Sequence, residues 1–163
     1  MNFDLAISEK DGNGGDLQQL GNDLAVVNGI ENMPYLAMFG GNREASTGTI
    51  PIADAQDYWG NNLFMAGDAS IQFNSKTERI LNSTELTSAG RVIIENAIKD
   101  DLQFLEPQAK ITVVVTIEAT DRLRVSIRIE LSLQPIRMII INFKKSTSDG
   151  DFFISDFTDD FLV

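Results

Sequence analysis

The chain has no cysteine and no histidine. Without thiols there is neither a disulfide nor a thiolate metal site, a composition compatible with a reducing compartment. Without imidazole, no side chain has an unperturbed pKa near neutrality, so Ser-His and Cys-His mechanisms and imidazole metal sites drop out. Catalysis would fall to carboxylates, Lys or Tyr. Cations are scarce as well: Lys and Arg number 13 against 24 Asp and Glu, for a formal charge of −11. Such a surface repels a phosphate backbone unless basic residues are segregated on one face. The only short basic cluster, Lys144-Lys145, runs at once into the acidic stretch 149–160, so nucleic acid is not an expected partner. No apolar run approaches the roughly 18 residues of a membrane span, and Met1-Asn2-Phe3-Asp4 has neither a basic n-region nor an apolar h-region. A soluble chain without a membrane partner is expected.

What is present is enough for a core. A globule of this length buries about 68–70% of its unfolded surface, and the 43% hydrophobic fraction over 163 residues argues against global disorder. One domain spanning 1–163 is expected. Phe3, Leu5 and Ile7 alternate as a short half-buried strand, and Asp11-Gly12-Asn13-Gly14-Gly15-Asp16 then turns the chain. Leu24 to Val27 reads as a second strand closed by Asn28-Gly29. A helix over 31–39 follows, with Pro34 in its first turn and Gly40-Gly41 as its stop. Residues 41–67 are rich in Gly, Asn, Asp, Ser and Thr and form an expected long loop, a candidate contact region.

The clearest helix lies over 87–105, where Ala89, Ile93, Ala97, Ile98, Leu102 and Leu105 make one stripe, Thr87 is the N-cap and Pro107 the stop. A shorter helix over 75–81 precedes it, broken at Asn82-Ser83. Period two then takes over. Ile111, Val113, Val115 and Ile117 face one way, and after a turn at 119–122 so do Leu123, Val125, Ile127, Ile129, Leu131 and Leu133, which predicts an antiparallel hairpin with one wet face. Because Pro135 interrupts the ladder, the apolar run 136–143 is expected as an edge strand. The predicted fold class is α+β: a long amphipathic helix packed on an antiparallel sheet, with a C-terminal hairpin and an acidic-aromatic extension over 144–163.

Helix, then Leu105-Glu106-Pro107-Gln108, then hairpin resembles the sheath-initiator or wedge family of contractile-tail baseplates, named after T-even phage protein twenty-five and present also in type VI secretion systems. That family carries glutamate-proline-arginine at this corner; here Glu106 and Pro107 match, and Gln108 stands in place of the arginine. Asp23-Leu24, Gly29-Ile30-Glu31-Asn32 and Tyr58-Trp59-Gly60-Asn61 are similar to the Mu-like phage protein forty-six family, except that Asn61 replaces an aspartate. The resemblance implies a structural virion protein of the tail baseplate, assembled in the host cytoplasm. Its implied partners are wedge and core proteins, tail tube proteins and the sheath, in a six-fold assembly. It implies no cofactor and no metal.

Six residues are candidate protein-interface positions. Glu106, Pro107 and Gln108 form the family corner, although a proline after a helix is also an ordinary terminator. Trp59, the sole tryptophan, is either a partner-facing anchor or a plug for the chain's own core. Ile139 and Ile141 would offer alternate pockets to an extended sheath arm added to the 136–143 edge, unless the extension folds back over it. No catalytic residue is assigned. The turn 11–16 has the look of a calcium loop, but Gly15 and Asp16 occupy the positions where the EF-hand needs a ligand and then glycine. Glu95 with Lys99, and Asp100-Asp101, belong on the polar helix face. The competing function is a carboxylate-based peptidoglycan hydrolase, which needs two converging carboxylates. A second competitor is the equivalent subunit of a type VI or other contractile injection machine.

Overall fold

A computed structural model describes residues 3–5, 7–8, 16–17, 19–40, 75–132, 135–148 and 150–162. It is α+β: three helices packed against a four-stranded antiparallel sheet. The amino-terminal part is a set of two-stranded pairings. β1 (Phe3–Leu5) pairs with β6 (Val26–Asn28), β2 (Ile7–Ser8) with β3 (Asp16–Leu17), and β4 (Gln19–Leu20) with β5 (Asp23–Leu24). Leu20 faces Asp23 across the Gly21-Asn22 turn, where φ of +66° at Gly21 suits a residue without Cβ. Helix α1 (Gly29–Phe39) starts two residues earlier than its sequence suggests. Pro34 therefore lies beyond the first turn and removes the amide that would meet the Ile30 carbonyl.

Helix α2 (Thr77–Ser83) leads to α3 (Ser88–Asp101). Thr87 caps α3 as expected, its hydroxyl accepting the Gly90 amide at 3.0 Å. Gly90 is buried where the preceding chain crosses the helix; a Cβ there would lie 2.0 Å from the Glu85 carbonyl oxygen. The buried stripe of α3 is Gly90, Ile94, Ala97 and Ile98, continued by Leu102. Ala89 and Ile93 belong to the exposed side, Ile93 at 49% exposure, so the expected stripe was rotated by one residue at its start. After Leu102 the helix tightens into a 3-10 turn, Gln103–Leu105, which carries Leu105 into the core.

The sheet is a meander, β7 (Ala109–Ala119), β8 (Arg122–Leu131), β9 (Ile136–Lys145) and β10 (Phe152–Leu162), ordered β10-β9-β8-β7. The predicted hairpin is β7-β8, with Val113 opposite Ile127 and Val115 opposite Val125. Its alternation continues into β9, so Val113, Val115, Leu123, Val125, Ile127, Ile129, Ile139, Ile141 and Phe143 form one buried face. The helices cover this face through Ala37, Met38, Leu81, Ile94, Ile98, Leu102 and Leu105. Phe39 of α1 meets Phe143 of β9 with ring centroids 6.0 Å apart, and Tyr35 meets Phe157 of β10 edge-on at 5.9 Å.

Two expectations change here. The strand after Pro135 is central, not an edge: β9 is hydrogen-bonded to β8 on one side and β10 on the other. Pro135 precedes β9 rather than interrupting it, so no ladder bond is lost. The acidic-aromatic extension is ordered against the chain's own sheet as β10, whose register places Phe157 opposite Ile141. The expected loop 41–67, the turn at 11–15 and Leu133 lie outside the described residues.

Candidate functional site

The corner that joins the helical layer to the sheet is wound by short-range bonds. Leu105, Glu106 and Gln108 donate their amides to the carbonyls of Leu102, Gln103 and Leu105 at 3.0, 3.1 and 3.0 Å. Three-residue spacing turns the chain sharply. It buries Leu105 and Ala109 while leaving Glu106, Pro107 and Gln108 exposed between them. Among the described residues, none engages the Glu106 carboxylate or the Gln108 side-chain amide, and both residues are exposed.

Ile139 and Ile141 are placed differently. Each is 0% exposed; Ile139 pairs with Ile127 and Asp159, and Ile141 with Val125 and Phe157. They are core residues and cannot offer pockets to an arm from outside. A central strand has no unpaired amides for such an arm to use. Trp59, with Tyr58-Trp59-Gly60-Asn61, lies outside the described residues.

Charge is also organised in ways the sequence did not announce. Arg137 sits on the buried face of β9 at 4% exposure and pairs with Asp159 of β10, its Nε lying 2.8 and 3.1 Å from the two carboxylate oxygens and its Nη2 closing a second contact. The signal was available: Arg137 shares the parity of Ile139, Ile141 and Phe143. Asp101, expected on the polar helix face, turns toward α2. Its carboxylate accepts the Lys76 amide at 2.9 and 3.0 Å, the Thr77 amide at 2.8 Å and the Thr77 hydroxyl at 2.7 Å. It thus caps a helix to which it does not belong. Burial pushes this carboxyl above its ordinary value of 3.8, against the opposing pull of Thr77 and Lys76.

Neither arrangement resembles a hydrolytic pair. Asp100, adjacent to Asp101, is turned to Lys76 Nζ at 3.1 Å, and every acceptor contact found for Asp101 is to the α2 terminus. Glu95 bridges Arg91 and Lys99 along α3 at 3.2 and 2.7 Å, as the four-residue spacing predicts. Among the described residues, no group of three or more Asp or Glu is placed to hold a metal ion.

On the outer face of the sheet, ion pairs lie toward both ends of the β7-β8 hairpin. Arg124 meets Glu118 at 3.1 Å, Arg128 meets Glu130 at 3.2 Å, and Lys110 approaches Glu130 at 3.5 Å. Between them Val114 is 49% exposed. Among the described residues, no helix is long and apolar enough to cross a membrane. No family model matches the chain, and neither a curated protein nor a solved structure matches it.

Proposed function

We propose that this chain is a structural subunit of a contractile-tail baseplate that joins wedge and core proteins around the tail tube and starts sheath assembly. The observation that supports this reading is the Glu106-Pro107-Gln108 corner. Its side chains are exposed and unengaged among the described residues, while the residues on either side of it, Leu105 and Ala109, are buried. An exposed corner between a core-packed helix and a hairpin presents its side chains to a partner, and the order of parts is that of the family this sequence resembles. Gln108 keeps hydrogen-bonding capacity but brings no guanidinium, so the contact here rests on Glu106 and on neutral donors and acceptors. The sheath attachment cannot use β9, which is paired on both sides.

The test is Glu106→Ala in a tail-assembly system. Stability should stay within about 1 kcal/mol of wild type, as for most exposed substitutions, while incorporation into baseplates falls. Normal incorporation of the folded variant would remove the corner from the interface. Lysis of peptidoglycan by the purified chain, abolished by one Asp or Glu substitution, would replace the structural reading with the hydrolase.

A further inference from the structure

We infer that two copies of this chain join edge to edge through β7, antiparallel about a two-fold axis at Val114, so that their four-stranded sheets become one. This is independent of the baseplate reading.

Among the described residues, β7 has a hydrogen-bonded neighbour on one side only. Every second residue along it therefore turns an amide and a carbonyl away from the sheet. From Ile111 to Ile117 each residue is Ile, Thr or Val, with no charge, proline or glycine to discourage pairing. An edge of this length and composition is a template for another strand.

The ends of the run specify which strand. Lys110 precedes it and Glu118 follows it. Both side chains lie on the outer face, because Lys110 approaches Glu130 and Glu118 meets Arg124 there. Centring an antiparallel pair on Val114 sets Lys110 opposite Glu118 of the second copy, and Glu118 opposite its Lys110. The same register sets Thr112 opposite Thr116, Ile111 opposite Ile117 and Val113 opposite Val115. Outer positions meet outer positions and inner meet inner, so the pleats match. The strand is thus complementary to itself in charge and, from Ile111 to Ile117, in register, as an isologous interface requires, with Glu118 in the bulge that ends the regular ladder. The chain's net charge of −11 opposes association of two copies, but this strand contributes one cation and one anion and is locally neutral. The Lys110 side chain, 75% exposed, is free to shift from Glu130 toward the second copy.

The experiment is sedimentation velocity on the full chain over a dilution series, with thermal melting to confirm that each variant is folded. Wild type should show a reversible monomer-dimer equilibrium. Lys110→Glu or Glu118→Lys alone places like charges together twice across the axis and should weaken dimerisation about tenfold or more. Lys110→Glu combined with Glu118→Lys should restore it, because each pair is re-formed with its signs exchanged. Val114→Lys, which sets two ammonium groups at the axis, should give monomer. A monomeric wild type at all concentrations overturns the inference. So does a dimer indifferent to the single changes, or a double variant as weak as the worse single one. Capture of an extended arm of another protein on β7, with the chain itself monomeric, would assign the edge to a different occupant.

Discussion

Of the two edge strands, β10 carries Asp156 and Asp159 among its phenylalanines and is bent by a bulge between Ile154 and Asp156, whereas β7 is uncharged between Lys110 and Glu118 and bulges only at its far end. β10 is also tied down repeatedly. Arg137 grips Asp159, Tyr35 packs edge-on against Phe157, and the Asn82 side chain accepts the Phe152 amide at 2.9 Å. Acidic residues and a bulge are the ordinary means by which a sheet edge avoids unwanted pairing. One sheet therefore has a flank built for its own stability and a flank left fit for association. Substitutions on the two flanks should separate along that line.

The largest effect is expected at the strand on which both flanks depend. Ile141→Pro deletes an amide from β9 and forces a ring into a site with 0% exposure, at a cost of about 3 kcal/mol or more. The variant should lose its cooperative urea transition; a native-like transition would mean β9 is not central. Next is Asp159→Ala, which takes from buried Arg137 the carboxylate of Asp159 and should cost about 1–3 kcal/mol by shift of the urea midpoint. A loss below about 1 kcal/mol, the range of exposed pairs, would put the β10 flank on the same footing as the β7 flank.

Asp101→Asn acts on the helical layer, where α3 packs on β7. Replacing one acceptor oxygen by an amide opposite the donors of Lys76 and Thr77 should cost about 1–2 kcal/mol. Its pH dependence has a definite sign. The unfolded chain keeps the ordinary value of 3.8 while burial raises the folded one, so the folded state holds this proton more tightly. The contribution is fully present below pH 3.8 and is lost as pH rises through the raised value. Subtracting the Asp101→Asn stability profile from that of wild type should leave a difference that falls with rising pH; a rise would mean the donors outweigh burial. The smallest effect is expected at Val114→Thr, within about 0.5 kcal/mol of wild-type stability. A larger loss would show the exposed β7 flank contributing to the monomer as β10 does.

The parts of the fold legible in the sequence are those whose pattern is local. Thr87 announces its cap, and the alternation through Val113, Val115, Val125 and Ile127 announces a hairpin before any partner is known. The run Val92-Ile93-Ile94 is where local pattern fails. Three adjacent apolar residues fit two helix faces equally well, and only packing on the sheet puts Ile94 inside and Ile93 outside. Strand neighbours are a global property. Nothing within 136–143 says that a segment rich in Asp will cover one side of it, which is why Ile139 and Ile141 read as an edge and proved to be core. At the candidate site, the exposure of Glu106, Pro107 and Gln108 could be expected from a turn. The roles of Arg137 and Asp101 depend on residues far along the chain, at Asp159 and at Lys76 with Thr77.

The meander has a kinetic side. Its strands pair in the order in which they occur, across connections of a few residues at 120–121, 132–135 and 146–151. Each closure therefore costs little chain entropy, and the sheet can grow one strand at a time from the β7-β8 hairpin. During that growth the advancing edge passes from β8 to β9 to β10 and is covered at each step by the next strand to arrive. Among the described residues the opposite edge has no such successor. Among them β7 is unpaired on that side in the finished sheet, so the strand laid down first is also the one left open to a second copy.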